Sequence, residues 1–277
     1  MEIIKIINNN IISSFDEKGN EIIVMGRGIG FSKNKGDVLD ETMIEKIYSL
    51  KPEKTSQLIE LIDKIPYEYI KVTNKVINYI KMSINIELSE NIYITLLDHL
   101  NFAIDRQNKG IEFKNALLWE IKRFYNHEFL VAKEVVSIIK KELDIQLSED
   151  EIGFIALHIV NAEIDADMKE TLKITKMTHD IFNIIKYYFS IEIDENTLSY
   201  ERFITHLKFF MQRTIKRNYY KEDDIEFCKF IKKQYKDCYN CAKKVAEYVS
   251  EQLNYDTSDE EIVYLTIHIK RVVDEQK

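Results

Sequence analysis

Four of the six histidines in this 277-residue chain occupy corresponding places in a duplicated pattern. Asp98-His99-Leu100-Asn101-Phe102 runs on to Arg106, and Thr205-His206-Leu207-Lys208-Phe209 runs on to Arg213, each arginine seven residues after its histidine. A second pair comes from Glu151-Ile152-Gly153-Phe154-Ile155-Ala156-Leu157-His158-Ile159 and Glu261-Ile262-Val263-Tyr264-Leu265-Thr266-Ile267-His268-Ile269. The offsets are 107 and 110 residues, so a whole module is repeated. Histidine is the side chain most easily altered chemically near neutral pH. A histidine among apolar neighbours, as His158 and His268 are, is ordinarily a packed core residue. The halves differ at most positions, however, and both histidines and the arginine stand in each, which argues for a shared chemical role. His127 and His179 have no counterpart and read as structural or incidental.

The spacing narrows that role. A zinc site favours two histidines on one helix face with acids or cysteines nearby, and neither H-x-x-x-H nor H-E-x-x-H occurs. A serine or cysteine triad lacks a nucleophile that recurs in both halves, so the chain does not read as an enzyme, and no cofactor or metal is expected. Cys238 and Cys241 form a lone C-x-x-C, and with Cys228 they read as ordinary thiols in or beside a helix. A histidine that accepts a phosphoryl group needs less: a neutral ring nitrogen, partial exposure to a donor, and a cation or helix N-terminus to steady the added charge. Arg106 and Arg213 could help supply that cation, or could be solvated or structural.

The positioning elements change character along the chain. Five of the seven glycines lie in the first 36 residues, and both prolines, Pro52 and Pro66, follow them. Ile11–Phe15 and Glu21–Met25 flank a polar loop with Gly19, which is a hairpin signal. Ile44–Leu50 fits a last strand or a short helix. From about Gln57 the apolar spacing becomes helical: Tyr67–Ile86, Ser89–Arg106, Phe113–Tyr125, Glu128–Ile145 and Ser148–Ala166, then Thr171–Phe189, Asn196–Lys216, Asp224–Lys236, Tyr239–Leu253 and Ser258–Asp274. Capping boxes at Ser148-x-x-Glu151 and Ser258-x-x-Glu261 open the helices that carry the second histidines.

The expected fold is α+β and multidomain: a small N-terminal antiparallel β domain followed by two homologous all-α helical-bundle domains. The boundaries read as 1–55 for the β domain, 56–66 for a linker, 67–169 for the first module and 170–277 for the second. No run reaches the roughly 18 apolar residues that span a membrane, and the start lacks the pattern of a secretion signal, so a cytoplasmic location is expected. A net charge of −8 argues against a broad basic nucleic-acid surface. Residues 1–36 are slightly positive, with five cations against four anions.

The run Ile7-Asn8-Asn9-Asn10, then Val24-Met25-Gly26-Arg27-Gly28-Ile29-Gly30-Phe31, then Gly36-Asp37, resembles the RNA-binding domain of the BglG/SacY/LicT-type transcriptional antiterminators. The histidine modules resemble that family's paired phosphotransferase-system regulation domains. Gly30 stands where many relatives have alanine. The resemblance implies a sheet that dimerises and binds an imperfect RNA hairpin overlapping a terminator, with Asn8, Asn10, Gly26, Arg27 and Phe31 at RNA-contacting positions. It implies that His99 and His158 are modified by a sugar permease (enzyme II) when its sugar is absent, inactivating the protein. It further implies that His206 and His268 are modified by the phosphocarrier HPr, activating it. From the same resemblance a β-glucoside operon is the expected target, with a sucrose operon next. Two other readings are a DNA-binding activator on the same regulation domains, which needs a helix-turn-helix absent from the glycine-rich start, and a four-histidine metal protein, which lacks suitably spaced acidic or cysteine ligands.

Overall fold

The computed structural model describes residues 1–49, 52–215, 225–254 and 257–276. Leu50, Lys216 and Asp224, which end expected segments, lie outside the described residues.

Strands β1 (Lys5–Asn8), β2 (Ile11–Phe15), β3 (Glu21–Met25) and β4 (Lys46–Tyr48) form one antiparallel sheet in that order. The β2–β3 register runs from Ile11 opposite Met25 to Phe15 opposite Glu21, as the hairpin signal requires. Asp16 closes the turn by accepting the Lys18 and Asn20 amides at 2.8 Å each, and Gly19 takes a φ of +80°. Alternate side chains Ile12, Ile22 and Val24 pack with Ile3, Ile29 and Leu39 into a small core. The opposite face, with Ile11, Ile23 and Met25, is also buried. Ile44–Leu50 resolves in favour of a strand, entered through a short 3-10 turn at Glu41–Met43.

The helices are α1 (Pro52–Ile62), α2 (Tyr67–Ser83), α3 (Ile92–Asn108), α4 (Leu118–Phe124), α5 (Asn126–Leu143), α6 (Glu149–Ile164), α7 (Met168–Phe189), α8 (Leu198–Ile215), α9 (Ile225–Gln234), α10 (Lys236–Leu253) and α11 (Asp259–Asp274). Residues 56–66 do not form an extended linker: most of them lie in α1, where Thr55, Leu58 and Ile62 recur at helical spacing and are all buried. The cysteine expectation holds, since Cys238 and Cys241 are buried on α10 and burial pushes the Cys241 thiol up to about 12.

The chain divides into two compact units, residues 1–115 with 127–165, and residues 116–126 with 166–277. The first contains the sheet and the first pair of histidines, the second the other pair. Helix α4, between α3 and α5 in sequence, packs on α7 of the second unit. Phe124 stacks on Phe182 at 5.9 Å, while Arg123 binds Glu195 at 2.8 Å and the Tyr200 hydroxyl. Its counterpart α9 packs on α10 and α11 of its own module. Duplicated sequence therefore does not place these two short helices alike.

Candidate functional site

The glycine-rich segment after β3 folds back on the asparagines that join β1 to β2. Backbone amides of Gly26 and Gly30 donate to the Asn10 and Asn9 carbonyls at 3.0 Å each. The Gly28 amide donates to Asn10 Oδ1 at 2.8 Å, and the Asn10 amide to Asn8 Oδ1 at 2.9 Å. These bonds use the amide oxygens of Asn8 and Asn10 to shape the loop. Gly28 adopts a φ of +70°. A Cβ on Gly26 would fall 1.9 Å from the Met43 carbonyl oxygen, so the turn passes too close to the backbone for any larger residue. A Cβ on Gly30 would sit 2.6 Å from the Asn8 oxygen, so alanine there has to displace the asparagine carbonyl. Ile29 anchors the loop in the core, whereas Arg27 is exposed and Phe31 is 66% exposed. The five residues singled out from the sequence, Asn8, Asn10, Gly26, Arg27 and Phe31, thus belong to one hydrogen-bonded loop pair. An exposed cation and an exposed ring on one loop can meet phosphate and stack on an unpaired base.

The helical modules bring each pair of histidines together. His99 on α3 and His158 on α6 have ring centroids 4.7 Å apart, and His206 on α8 and His268 on α11 have theirs 4.1 Å apart. In each module two crossing helices turn one histidine each toward a common point. Burial, and then the neighbouring His99, lower the pKa of His158 well below the ordinary histidine value. Burial, and then His206 and Arg271, press that of His268 down to about 4. His206 is lowered by burial first, then by the charges of Arg271, Arg213 and Arg202. These three rings are held neutral near pH 7, the form in which a ring nitrogen can attack phosphorus.

The first pair has a carboxylate partner that the motif did not expose. Glu151 lies 3.2 Å from His99 Nε2 through Oε2, and accepts from Arg106 at 2.8 Å through Oε1. Burial raises the Glu151 pKa, but the His99 and Arg106 contacts outweigh it and the net shift is downward. Of the two capping boxes expected from the sequence, the one at Ser258 and Glu261 is complete, whereas at Ser148 the side chain accepts the Glu151 amide without the reciprocal bond. The Glu151 side chain is turned to the histidine site instead. In the second site His206 Nδ1 is hydrogen-bonded to the Tyr264 hydroxyl, at the position where the first module has Phe154. Arg106 therefore serves an ion pair beside His99, and Arg213 lies near enough to bias His206. His127 and His179 lie outside the pairs: one contacts the Ser83 carbonyl at 3.2 Å, the other Glu120 at 3.7 Å and the Trp119 ring. Among the described residues no cluster of histidine, cysteine and acidic side chains is arranged to hold a metal ion. No helix among them is long and apolar enough to cross a membrane.

The described residues form a glycine-loop sheet followed by two histidine-paired helical modules. Residues 1–57 match the CAT RNA binding domain model, and residues 74–162 and 179–272 match the PRD domain model. The chain is 44% identical over 274 residues to "Transcription antiterminator LicT" of Bacillus subtilis, covering 99% of both proteins. It is 41% identical over 273 residues to "Beta-glucoside operon antiterminator" of Dickeya chrysanthemi, covering 98% of this chain and 96% of that one. A crystal structure of GlcT CAT-PRDI superposes with a TM-score of 0.52 at 36% identity, covering 58% of this chain and 97% of that one. The chain belongs to the family of transcription antiterminators built from a CAT RNA-binding domain and two PRD domains.

Proposed function

We propose that this antiterminator responds to a sugar, and that it binds an RNA hairpin overlapping a terminator through Asn8, Asn10, Gly26, Arg27 and Phe31. The regulated operon is one for β-glucoside use, a reading supported by the printed name of the Dickeya relative. His99, His158, His206 and His268 are its phosphoryl acceptors. The observation that carries this reading is the close approach of both histidine pairs, at 4.7 and 4.1 Å between rings. A phosphoryl group adds about −1.5 to −2 charge, and on either ring of pairs this close it would change the charge that the partner ring meets.

In the first module the added charge would arrive beside Glu151, which already holds Arg106. Repulsion between phosphate and carboxylate would free Arg106 to pair with the phosphoryl oxygens, rearranging the α3–α6 contact. Sugar permease enzyme II is the donor for His99 and His158 when its sugar is absent, and this modification inactivates. The phosphocarrier HPr is the donor for His206 and His268, and this modification activates. The domains are 1–55, 67–169 and 170–277. The protein works in the cytoplasm as a homodimer, as a regulator and not an enzyme, by shifting the population of RNA-binding conformers. In cells, His99→Ala gives antitermination without sugar, whereas His206→Ala lowers activity even with it. Persistent sugar dependence of His99→Ala would overturn the assignment of the first module.

A further inference from the structure

The two histidine sites share their histidines, an arginine (Arg106, Arg213) and a buried glutamate (Glu151, Glu261), but differ at three other places. By the 110-residue offset, Tyr264 replaces Phe154 and Arg271 replaces Asn161; by the 107-residue offset, Arg202 replaces Thr95. The Tyr264 hydroxyl is bonded to His206 Nδ1, and its ring meets His206 edge-on at 5.3 Å and His268 at 4.8 Å. His268 is 6% exposed and His206 half-buried, while Arg202, one helical turn before His206 on α8, and Arg271, three residues after His268 on α11, share their helix faces and are exposed. His99 in the first site is turned through Nε2 to a carboxylate instead.

We propose that Tyr264 is the positioning residue of the second site: it accepts the Nδ1–H of His206, so that the free Nε2 lone pair receives the phosphoryl group, and Arg202 and Arg271 hold the incoming phosphoryl oxygens. The inference rests on the phosphoryl-acceptor reading above and names the atom and supporting residues of that transfer. The donor is a phosphoramidate P–N bond, in a protein phosphohistidine or in phosphoramidate itself. Nε2 forms a new P–N bond as the donor's breaks. The donor nitrogen keeps the bonding pair and takes a proton from solvent, and His206 keeps its Nδ1 proton on Tyr264. Arginine at these two places neutralises phosphoryl charge that Thr95 and Asn161 cannot. The second site therefore offers a donor two exposed arginines at places where the first has Thr95 and Asn161.

The test uses the full chain, with histidine 15N shifts assigned against H206N. Wild-type His206 shows the Nδ1–H tautomer, and Y264F loses that preference while circular dichroism is unchanged. With phosphoramidate as donor, wild type is modified at His206 Nε2, Y264F about tenfold more slowly. R271N slows transfer several-fold and leaves the tautomer as it was. An unchanged tautomer and rate in Y264F, or modification at Nδ1, overturns the positioning role; an unchanged rate in R271N overturns the arginine role. Failure of wild type to be modified by phosphoramidate or phosphorylated HPr overturns the acceptor reading itself, and the tautomer comparison still decides whether Tyr264 orients the ring.

Discussion

The Tyr48 hydroxyl donates to Asn74 Oδ1 at 2.6 Å, joining β4 of the RNA-binding sheet to α2 of the first helical module. Both residues are buried, and the Asn74 amide also reaches Met25 Sδ at 3.6 Å, one residue before Gly26. Tyr93, on the helix that carries His99, packs edge-on against Tyr48 at 5.4 Å. The glycine loop and the first histidine site are thus linked through one buried polar joint and the length of α3. Tyr48→Phe leaves the buried Asn74 oxygen without this donor and should cost about 1–3 kcal/mol. Chemical denaturation of the full chain measures it; a change below about 0.5 kcal/mol would show that the joint contributes little.

If His99 accepts a phosphoryl group as proposed, Glu151 would compete with that group for Arg106. Replacing it with glutamine keeps the shape and removes a negative charge beside His99. Like charges about 4 Å apart repel by about 4 kcal/mol at an effective dielectric near 20, so only part of that is needed for Glu151→Gln to raise His99 phosphorylation about tenfold. Mass-spectrometric occupancy at limiting enzyme II reads the change, and lower occupancy in the variant contradicts the competition.

Some of this arrangement was legible from residue types alone. The β2–β3 hairpin follows from two β-branched runs around Asp16 and Gly19, because the turn chemistry is local. The histidine pairs were visible only as a repeated spacing, since the meeting of α3 with α6 and of α8 with α11 is tertiary. Glu151 was concealed by a plausible local role: a glutamate three residues after Ser148 reads as a cap, and only the packed helices show it facing His99 and Arg106. The difference between Phe154 and Tyr264 stood in the repeated motif, but a hydroxyl has meaning only once His206 is beside it. Helix α1 was obscured by Pro52 and Pro66, which bracket it and suggested a connector, although proline is well tolerated at a helix start.

Gly26 has no room for a side chain. With Met43 O at 1.9 Å from the position of a Cβ, Gly26→Ala must move the backbone of the loop or of the 3-10 turn. A cost of about 1–3 kcal/mol is expected, in the range of overpacked interiors, together with loss of hairpin affinity. Gly19→Ala, at a turn with open space but a positive φ, should cost stability and leave RNA affinity intact. Equal loss of affinity in both variants would contradict the assignment of the Gly26 loop to RNA.

Acid should destabilise the fold through its buried histidines. The His268 pKa is about 4 in the folded chain and that of His158 is also depressed, against about 6.5 for an unfolded histidine. Between about pH 4 and 6.5 the unfolded chain therefore binds more protons, so stability falls as pH drops through that window and is level in this contribution above it. The Glu151 carboxylate, whose pKa is lowered in the fold, acts in the same direction below its ordinary range. Thermal melts of His268→Gln should show a shallower loss between pH 6.5 and 4 than wild type; identical slopes would contradict the burial of a neutral His268.

Phosphoryl groups on the paired histidines are proposed to set the RNA affinity of the glycine loop. Phosphohistidine mapping on the full chain, with HPr alone and with HPr plus enzyme II, coupled to hairpin affinity on the same samples, tests it directly. Modification of His206 and His268 should raise affinity about tenfold or more, modification of His99 and His158 should lower it, and Arg27→Ala and Phe31→Ala should abolish binding in every state. Hairpin affinity that stays constant while the histidines become fully phosphorylated would contradict it.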